Sequence, residues 1–176
     1  MGMSGHNKWQ QIKHRKGISD QKKGQVFSKL ANKITIAARN GTDPSANYKL
    51  QSAIEEARAE NMPKDNIERA VKRATEKDAA FLNEVIVQAM GLGSVAVVIE
   101  AITDNKNRTI AEIKNVLAKN EFKMVPEGSL CWMFDKGWSP KAPVEIGDSA
   151  VKQKFDKLLE ELATNDDVEN VHSNLK

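Results

Sequence analysis

Four cations and one tryptophan fall between residues 8 and 16, and they are the first residues in the chain whose types and spacing suggest a chemistry. The stretch Ser4-Gly5-His6-Asn7-Lys8-Trp9-Gln10-Gln11-Ile12-Lys13-His14-Arg15-Lys16-Gly17 holds Lys8, Lys13, Arg15 and Lys16 and no acidic residue. Ammonium and guanidinium groups neutralise phosphates and release their counterions, which gives affinity without sequence choice. Trp9 can stack on an exposed base or ribose, or it can anchor the segment onto the helices that follow; both roles are open. His6 and His14 can hydrogen-bond phosphates or base edges. Residues 1–40 carry nine Lys and Arg against one acid, Asp20, a net of +8, whereas residues 41–176 carry eighteen against twenty-three, a net of −5. The overall +3 therefore hides a basic head on an acidic body. That asymmetry points to a polyanion, most simply nucleic acid. A solvated basic tail with no partner is the plainer alternative.

Other chemistries find little support. Asn105, Asn107 and Arg108 precede a predicted helix N-terminus, a weak anion site in itself, although capping explains them equally. His6, His14 and His172 are scattered and no CxxC occurs, so no zinc or other metal is expected. Gly91-Leu92-Gly93 lies in a predicted hairpin, not between a strand and a helix, so it is no phosphate cradle. Asp166-Asp167 reads as a turn. Cys131 sits in the apolar run Leu130-Cys131-Trp132-Met133-Phe134 and reads as a buried structural thiol. No set of acid, base and nucleophile is visible, so neither an enzyme nor a cofactor is expected.

Helices must position the basic head. Ser19 or Asp20 can cap a helix running to about Asn40, where Gly41 stops it. Phe27, Leu30, Ile34, Ala37 and Ala38 recur at spacings of three and four and share its inner face. Lys22, Lys29 and Lys33 fall on the opposite side, continuous with the basic arm, and Arg39 closes the helix. Ile36 projects to the lysine side, toward a neighbouring helix or a partner. A second helix is predicted over about 46–60, with Leu50, Ala53, Ile54 and Ala57 inward. A third runs from Pro63 to about residue 75, with Ile67, Ala70, Val71 and Ala74 inward. Pro63 suits a first helical turn.

After residue 82 the pattern changes to strands. Glu84–Met90 and Val95–Ile102 form a predicted hairpin around Gly91–Ser94. A helix follows, with Thr109 and Glu112 as a capping box or Asn107 as the cap, and Ile110, Ile113, Val116 and Leu117 inward. Ser129–Phe134 is a predicted third strand, with Leu130, Trp132 and Phe134 on one face. Pro143–Ile146 is a fourth. Asp148 caps a helix carrying Val151, Phe155, Leu158, Leu159 and Leu162, and Val168–Val171 is the last strand. The predicted fold is α+β: an arm and three-helix domain over 1–76, then a ferredoxin-like ββαββαβ domain over 82–176 with one mixed sheet.

The totals fit this division. A chain of 176 residues allows one or two domains, and 40% hydrophobic content supports a packed core. No apolar run approaches the roughly 18 residues of a membrane span. No secretory leader is evident, so a cytoplasmic protein that does not engage membranes is expected. The sequence does not set the oligomeric state, and a monomer is the simpler expectation.

Several motifs in order carry a resemblance. They are Met3-Ser4-Gly5-His6-Asn7-Lys8-Trp9, Ile12-Lys13-His14-Arg15-Lys16, Phe27-Ser28-Lys29-Leu30, Ala37-Ala38-Arg39, Asn61-Met62-Pro63-Lys64-Asp65-Asn66-Ile67-Glu68-Arg69-Ala70, Thr103-Asp104-Asn105-Lys106-Asn107-Arg108-Thr109 and Asn165-Asp166-Asp167-Val168-Glu169-Asn170-Val171. Together they resemble the YebC/PmpR family, which includes the mitochondrial translational activator of cytochrome c oxidase. Met1-Gly2 looks like a start-site extension. The resemblance implies a helical N-terminal domain, α/β domains behind it, and a DNA-binding transcriptional regulator. Some members resemble translation factors that relieve stalled ribosomes, including stalls at proline-rich stretches, by binding ribosomal RNA.

The chain departs from the family pattern in three places. Met90-Gly91-Leu92-Gly93-Ser94 stands where the family usually has a glycine-rich segment containing tyrosine and proline. Glu121-Phe122 stands where a glycine pair is expected. Only Asp135–Ala142 joins the segments between which the family usually inserts a further α/β domain, so a short form without that domain is expected. The nucleic-acid-binding set expected here is Lys8, Trp9, Lys13, His14, Arg15, Lys16, Lys22, Lys29, Lys33 and Arg39, with Asn105, Asn107 and Arg108 as secondary candidates. A duplex-DNA regulator and a ribosome-associated factor need the same lysines.

Overall fold

A computed structural model of the chain describes residues 8–12, 20–76 and 82–176, with the backbone alone at residues 20–22. Two compact units emerge. Of the described residues, one comprises 20–76, 82–83 and 102–105; the other comprises 8–12, 84–101 and 106–176.

The helical unit contains α1 (Asp20–Ala38), α2 (Tyr48–Ala59) and α3 (Lys64–Arg73). The three- and four-residue spacing of its apolar side chains does what amphipathic periodicity requires. Leu30, Ile34, Ala37, Ala38, Leu50, Ala53, Ile54, Ala57, Met62, Ile67 and Ala70 make one buried core, with Phe27, Val71 and Ala74 half-buried against it. Asn47 caps α2, its side-chain oxygen accepting from the Leu50 N–H at 3.1 Å. Thr35 is buried, and its hydroxyl lies 2.8 Å from the Ala31 carbonyl and 2.9 Å from the Ala70 carbonyl, tying α1 to the end of α3. Ile36 is half-buried.

The α/β unit is built on β1 (Asn83–Met90), β2 (Ala96–Thr103), α4 (Lys106–Lys119), β3 (Lys123–Val125), α5 (Ser149–Leu162) and β4 (Val168–Ser173). The strands form one four-stranded sheet in the order β3-β1-β2-β4. β3 pairs antiparallel with β1, Ala89 opposite Met124, and β4 pairs antiparallel with β2, Ile99 opposite Val171. The hairpin thus occupies the centre of the sheet and later strands take both edges.

Central β2 explains its own near-continuous apolar sequence, because it is buried on both faces. Val97, Ile99 and Ala101 face a core shared with Ile113 and Leu117 of α4 and Phe155, Leu158, Leu159 and Leu162 of α5. Ala96 and Val98 face a second, smaller core made by Leu130, Met133 and Phe134. The chain end is locked to the hairpin by buried Asn174. Its Oδ1 accepts from the Ala96 N–H at 2.8 Å and its Nδ2 donates to the Ser94 carbonyl at 3.0 Å.

The strand wiring differs from the predicted ββαββαβ. Residues 129–134 are not a strand. Ser129, Cys131 and Met133 donate to the carbonyls of Pro126, Gly128 and Leu130 at 3.1, 3.2 and 2.9 Å, winding the segment into consecutive turns. Turns bring residues three and four apart to one side, so Leu130, Met133 and Phe134 go inward while Cys131 and Trp132 are exposed. The expected buried thiol is therefore an exposed one. The edge of β1 is taken instead by Lys123–Val125, a strand too short to show alternation. The predicted strand 143–146 reduces to a single parallel bridge between Val144 and Leu175, and another bridge joins Phe134 to Pro140. The sheet is antiparallel, not mixed.

Candidate nucleic-acid interface

The basic head enters the α/β unit through a helical turn at 8–12. Trp9 and Ile12 lie three apart and so share one face of that turn. Both pack into the core beneath the sheet, and Trp9 is 1% exposed among Val85, Ile99, Phe155 and their neighbours. This removes base stacking from Trp9, since neither face of its ring is open. It also moves the anchoring role from the helices, where the sequence put it, to the α/β core. The indole Nε1 has no hydrogen-bond partner among the described residues.

Lys8, beside it, is half-exposed and ion-pairs with Asp156 of α5; the carboxylate oxygen faces the ammonium without hydrogen-bond geometry. Lys13, His14, Arg15 and Lys16 lie outside the described residues, as does the side chain of Lys22.

On α1 the predicted lysine stripe is partly structural. Lys33 forms an ion pair with Glu56 of α2, and Lys29 is half-buried. Arg39 is exposed, yet its Nη2 donates to the Leu82 carbonyl at 2.9 Å. Partly exposed ion pairs stabilise by only about 0–1 kcal/mol, so such a lysine can exchange its carboxylate for a phosphate at little cost.

Further cations, outside the predicted set, lie in this unit. Arg58 of α2 and Lys64 and Lys72 of α3 rim a groove of about 650 Å³ floored by Ile54, Met62, Ile67 and Val71. Their signal was present in the sequence as basic residues flanking the apolar positions of two amphipathic helices.

The secondary candidates assemble differently from expectation. α4 begins at Lys106, so Thr109 is not a cap. It is buried within the first turn, and its hydroxyl donates to Asp167 Oδ2 at 2.5 Å. Arg108 Nη2 donates to the same oxygen at 2.9 Å, and the Asn105 N–H donates to Thr103 Oγ1 at 2.9 Å. Asn105, Asn107 and Arg108 are exposed. A carboxylate of the chain itself, Asp167, therefore already occupies the favourable position beside the positive end of α4. Asp167 belongs to the pair read as a turn, and the turn is there.

A polar cluster unforeseen in the sequence lies on the sheet. Glu100 accepts from Trp138 Nε1 at 3.1 Å, from Asn170 Nδ2 at 3.1 Å, and lies 3.0 Å from His172 Nε2. Burial pushes the Glu100 carboxyl upward. The hydrogen bond and charge of His172, with the bonds from Asn170 and Trp138, outweigh that and hold it below the ordinary carboxylate value.

Two family models match the chain: the TACO1/YebC protein N-terminal domain over residues 7–77, and the TACO1/YebC second and third domain over residues 82–137. A probable transcriptional regulatory protein of Petrotoga mobilis is 46% identical over 170 residues, covering 94% of this chain and 68% of that protein. This chain belongs to the TACO1/YebC family.

Another family member, a probable transcriptional regulatory protein of Desulfosudis oleivorans, is 46% identical over 160 residues, or 90% of this chain and 63% of that protein. The chain spans 55–63% of the length of three such TACO1/YebC relatives. The crystal structure of a conserved hypothetical protein from Aquifex aeolicus matches with a TM-score of 0.80 at 28% identity, covering 89% of this chain and 91% of that one. No helix among the described residues is long and apolar enough to cross a membrane.

Proposed function

We propose that this TACO1/YebC chain is a nucleic-acid-binding regulator of gene expression in the cytoplasm, acting as a DNA-binding transcriptional regulator. The observation that carries the reading is the concentration of nine cations against one acid in residues 1–40, joined to a body of net −5. Such a head attracts a phosphate backbone while the body resists wrapping around it. Relatives 42–52% identical are named probable transcriptional regulatory proteins, which supports the same reading. Lys13, Arg15 and Lys16 supply backbone affinity, and Lys29, Lys33 and Arg39 of α1 add further cations. Phosphate contacts of this kind position a protein on nucleic acid without reading its sequence. The reading is one of binding, not catalysis, by a monomer.

A second reading, ribosomal RNA as the target, is favoured by one feature. Trp132 is 71% exposed, and exposed aromatic side chains suit unpaired bases better than a stacked duplex. Ultraviolet crosslinking in cells, followed by sequencing of the nucleic acid retained, tests both. Enriched promoter DNA is the expected result. Ribosomal RNA fragments clustered at one site would transfer the function to translation, and recovery of no nucleic acid would contradict both readings.

A further inference from the structure

We propose that Trp132 is a stacking platform for an unpaired nucleobase, an inference that rests on the nucleic-acid reading and gives it a base contact. The chain has three tryptophans. Trp9 is sealed in the core. Trp138 is half-buried, its ring edge-on to Phe134 at 6.2 Å and its Nε1 bound to Glu100. Trp132 alone of the three is open to solvent, at 71% exposure.

Its exposure is built into the turn that carries it. Leu130, Met133 and Phe134 on either side are buried. The Leu130 N–H donates to the buried Gln88 side chain at 3.0 Å, and the Met133 N–H donates to Leu130 at 2.9 Å. From the other arm the Lys141 N–H donates to the Met133 carbonyl at 2.9 Å. A backbone pinned on both sides presents the indole with little left to order on binding.

The surroundings fit a nucleobase. Within residues 126–142 the other exposed side chains are small or polar, and Trp132 is the one large apolar group among them exposed to this degree. A single aromatic plane rising from a polar turn matches one planar base. Lys136 and Lys141 are exposed and form no ion pair among the described residues, so both are available to the flanking phosphates. Glu127 and Asp135 balance them, and the Asp135 carboxylate also accepts from the Ser139 N–H at 3.0 Å. The segment is therefore neutral overall. The indole adds stacking, an uncharged contact, to the affinity supplied elsewhere, so removing it alone leaves the salt slope in place.

Intrinsic tryptophan fluorescence of the full chain tests this, titrated separately with the single strands rU12 and dT12 and with a 12-base-pair duplex. Both single strands are expected to quench the emission, and the duplex is not. Trp132→Phe should abolish the quench while keeping most of the affinity. Trp132→Ala should weaken single-strand binding by roughly 5- to 100-fold with the salt slope unchanged. A preference for rU12 over dT12 would make the base that of an RNA, and the reverse that of melted DNA. Quenching that survives in Trp132→Phe, or wild-type affinity in Trp132→Ala, would overturn the stacking role alone. A wild-type chain that binds neither strand nor duplex would overturn the nucleic-acid reading and this one with it.

Discussion

Trp9 shows how structure can decide a role that the sequence leaves open. Its basic neighbours left base stacking and anchoring equally open, and the ring enclosed by sheet and helix decides for anchoring, though in the α/β core and not on the helices. Trp9→Ala should cost about 3–5 kcal/mol of stability in chemical denaturation of the full chain, as large buried aromatics do. Trp9→Phe should cost clearly less, because it also removes an indole N–H that has no acceptor among the described residues. Equal stability of wild type and alanine variant would contradict the core role. Glu100 carries a second prediction at this scale. Its folded pKa lies below the ordinary 4.5, so its contribution to stability is present above that value and is lost as pH falls through the folded one. Wild type should lose stability on acidification below about pH 5, and Glu100→Gln should show a shallower loss over the same range. Identical slopes would mean the Trp138, Asn170 and His172 contacts do not hold the charge. Contacts like these were invisible in the sequence, because their partners stand 38 to 72 residues away.

At the scale of elements, periodicity served the helices well and one strand badly. The inner faces of α1 and α2 follow the spacings of Leu30, Ile34, Leu50 and Ile54, since a helix buries what its period places together. Leu130, Trp132 and Phe134 alternate as a strand would, but turn hydrogen bonds override alternation when the sheet edge is already filled by β3. Two departures from the family pattern meet in the hairpin. Glu121, where glycine is expected, adopts φ 62°, the left-handed region glycine enters at no cost. The adjacent Phe122 ring covers Gly91 so closely that a Cβ there would lie 2.5 Å from it. Gly91 is in extended backbone, so the constraint is steric and not conformational. Gly91→Ala should therefore destabilise by about 1–3 kcal/mol, and the penalty should shrink in a Phe122→Ala background. An unchanged penalty in the double variant would show that the Phe122 contact is not its cause.

For the whole molecule, what the sequence made plain was charge: a basic head on an acidic body. Charge is a sum over residues and needs no coordinates. Which cations stay open to a partner does need them. Lys33 and Arg108 answer carboxylates of their own chain, and Lys8 answers Asp156. By sequence the densest cluster of cations in the basic head is Lys13, Arg15 and Lys16, which makes it the place to test the polyanion reading. The most direct test is the salt dependence of duplex and single-strand affinity, measured for the full chain and for a Lys13→Ala, Arg15→Ala, Lys16→Ala triple variant. Wild-type affinity should fall steeply as salt rises, and the triple variant should bind more weakly with a log–log slope flatter by about two to three units. A triple variant with the wild-type slope would contradict the claim that the basic head grips the phosphate backbone.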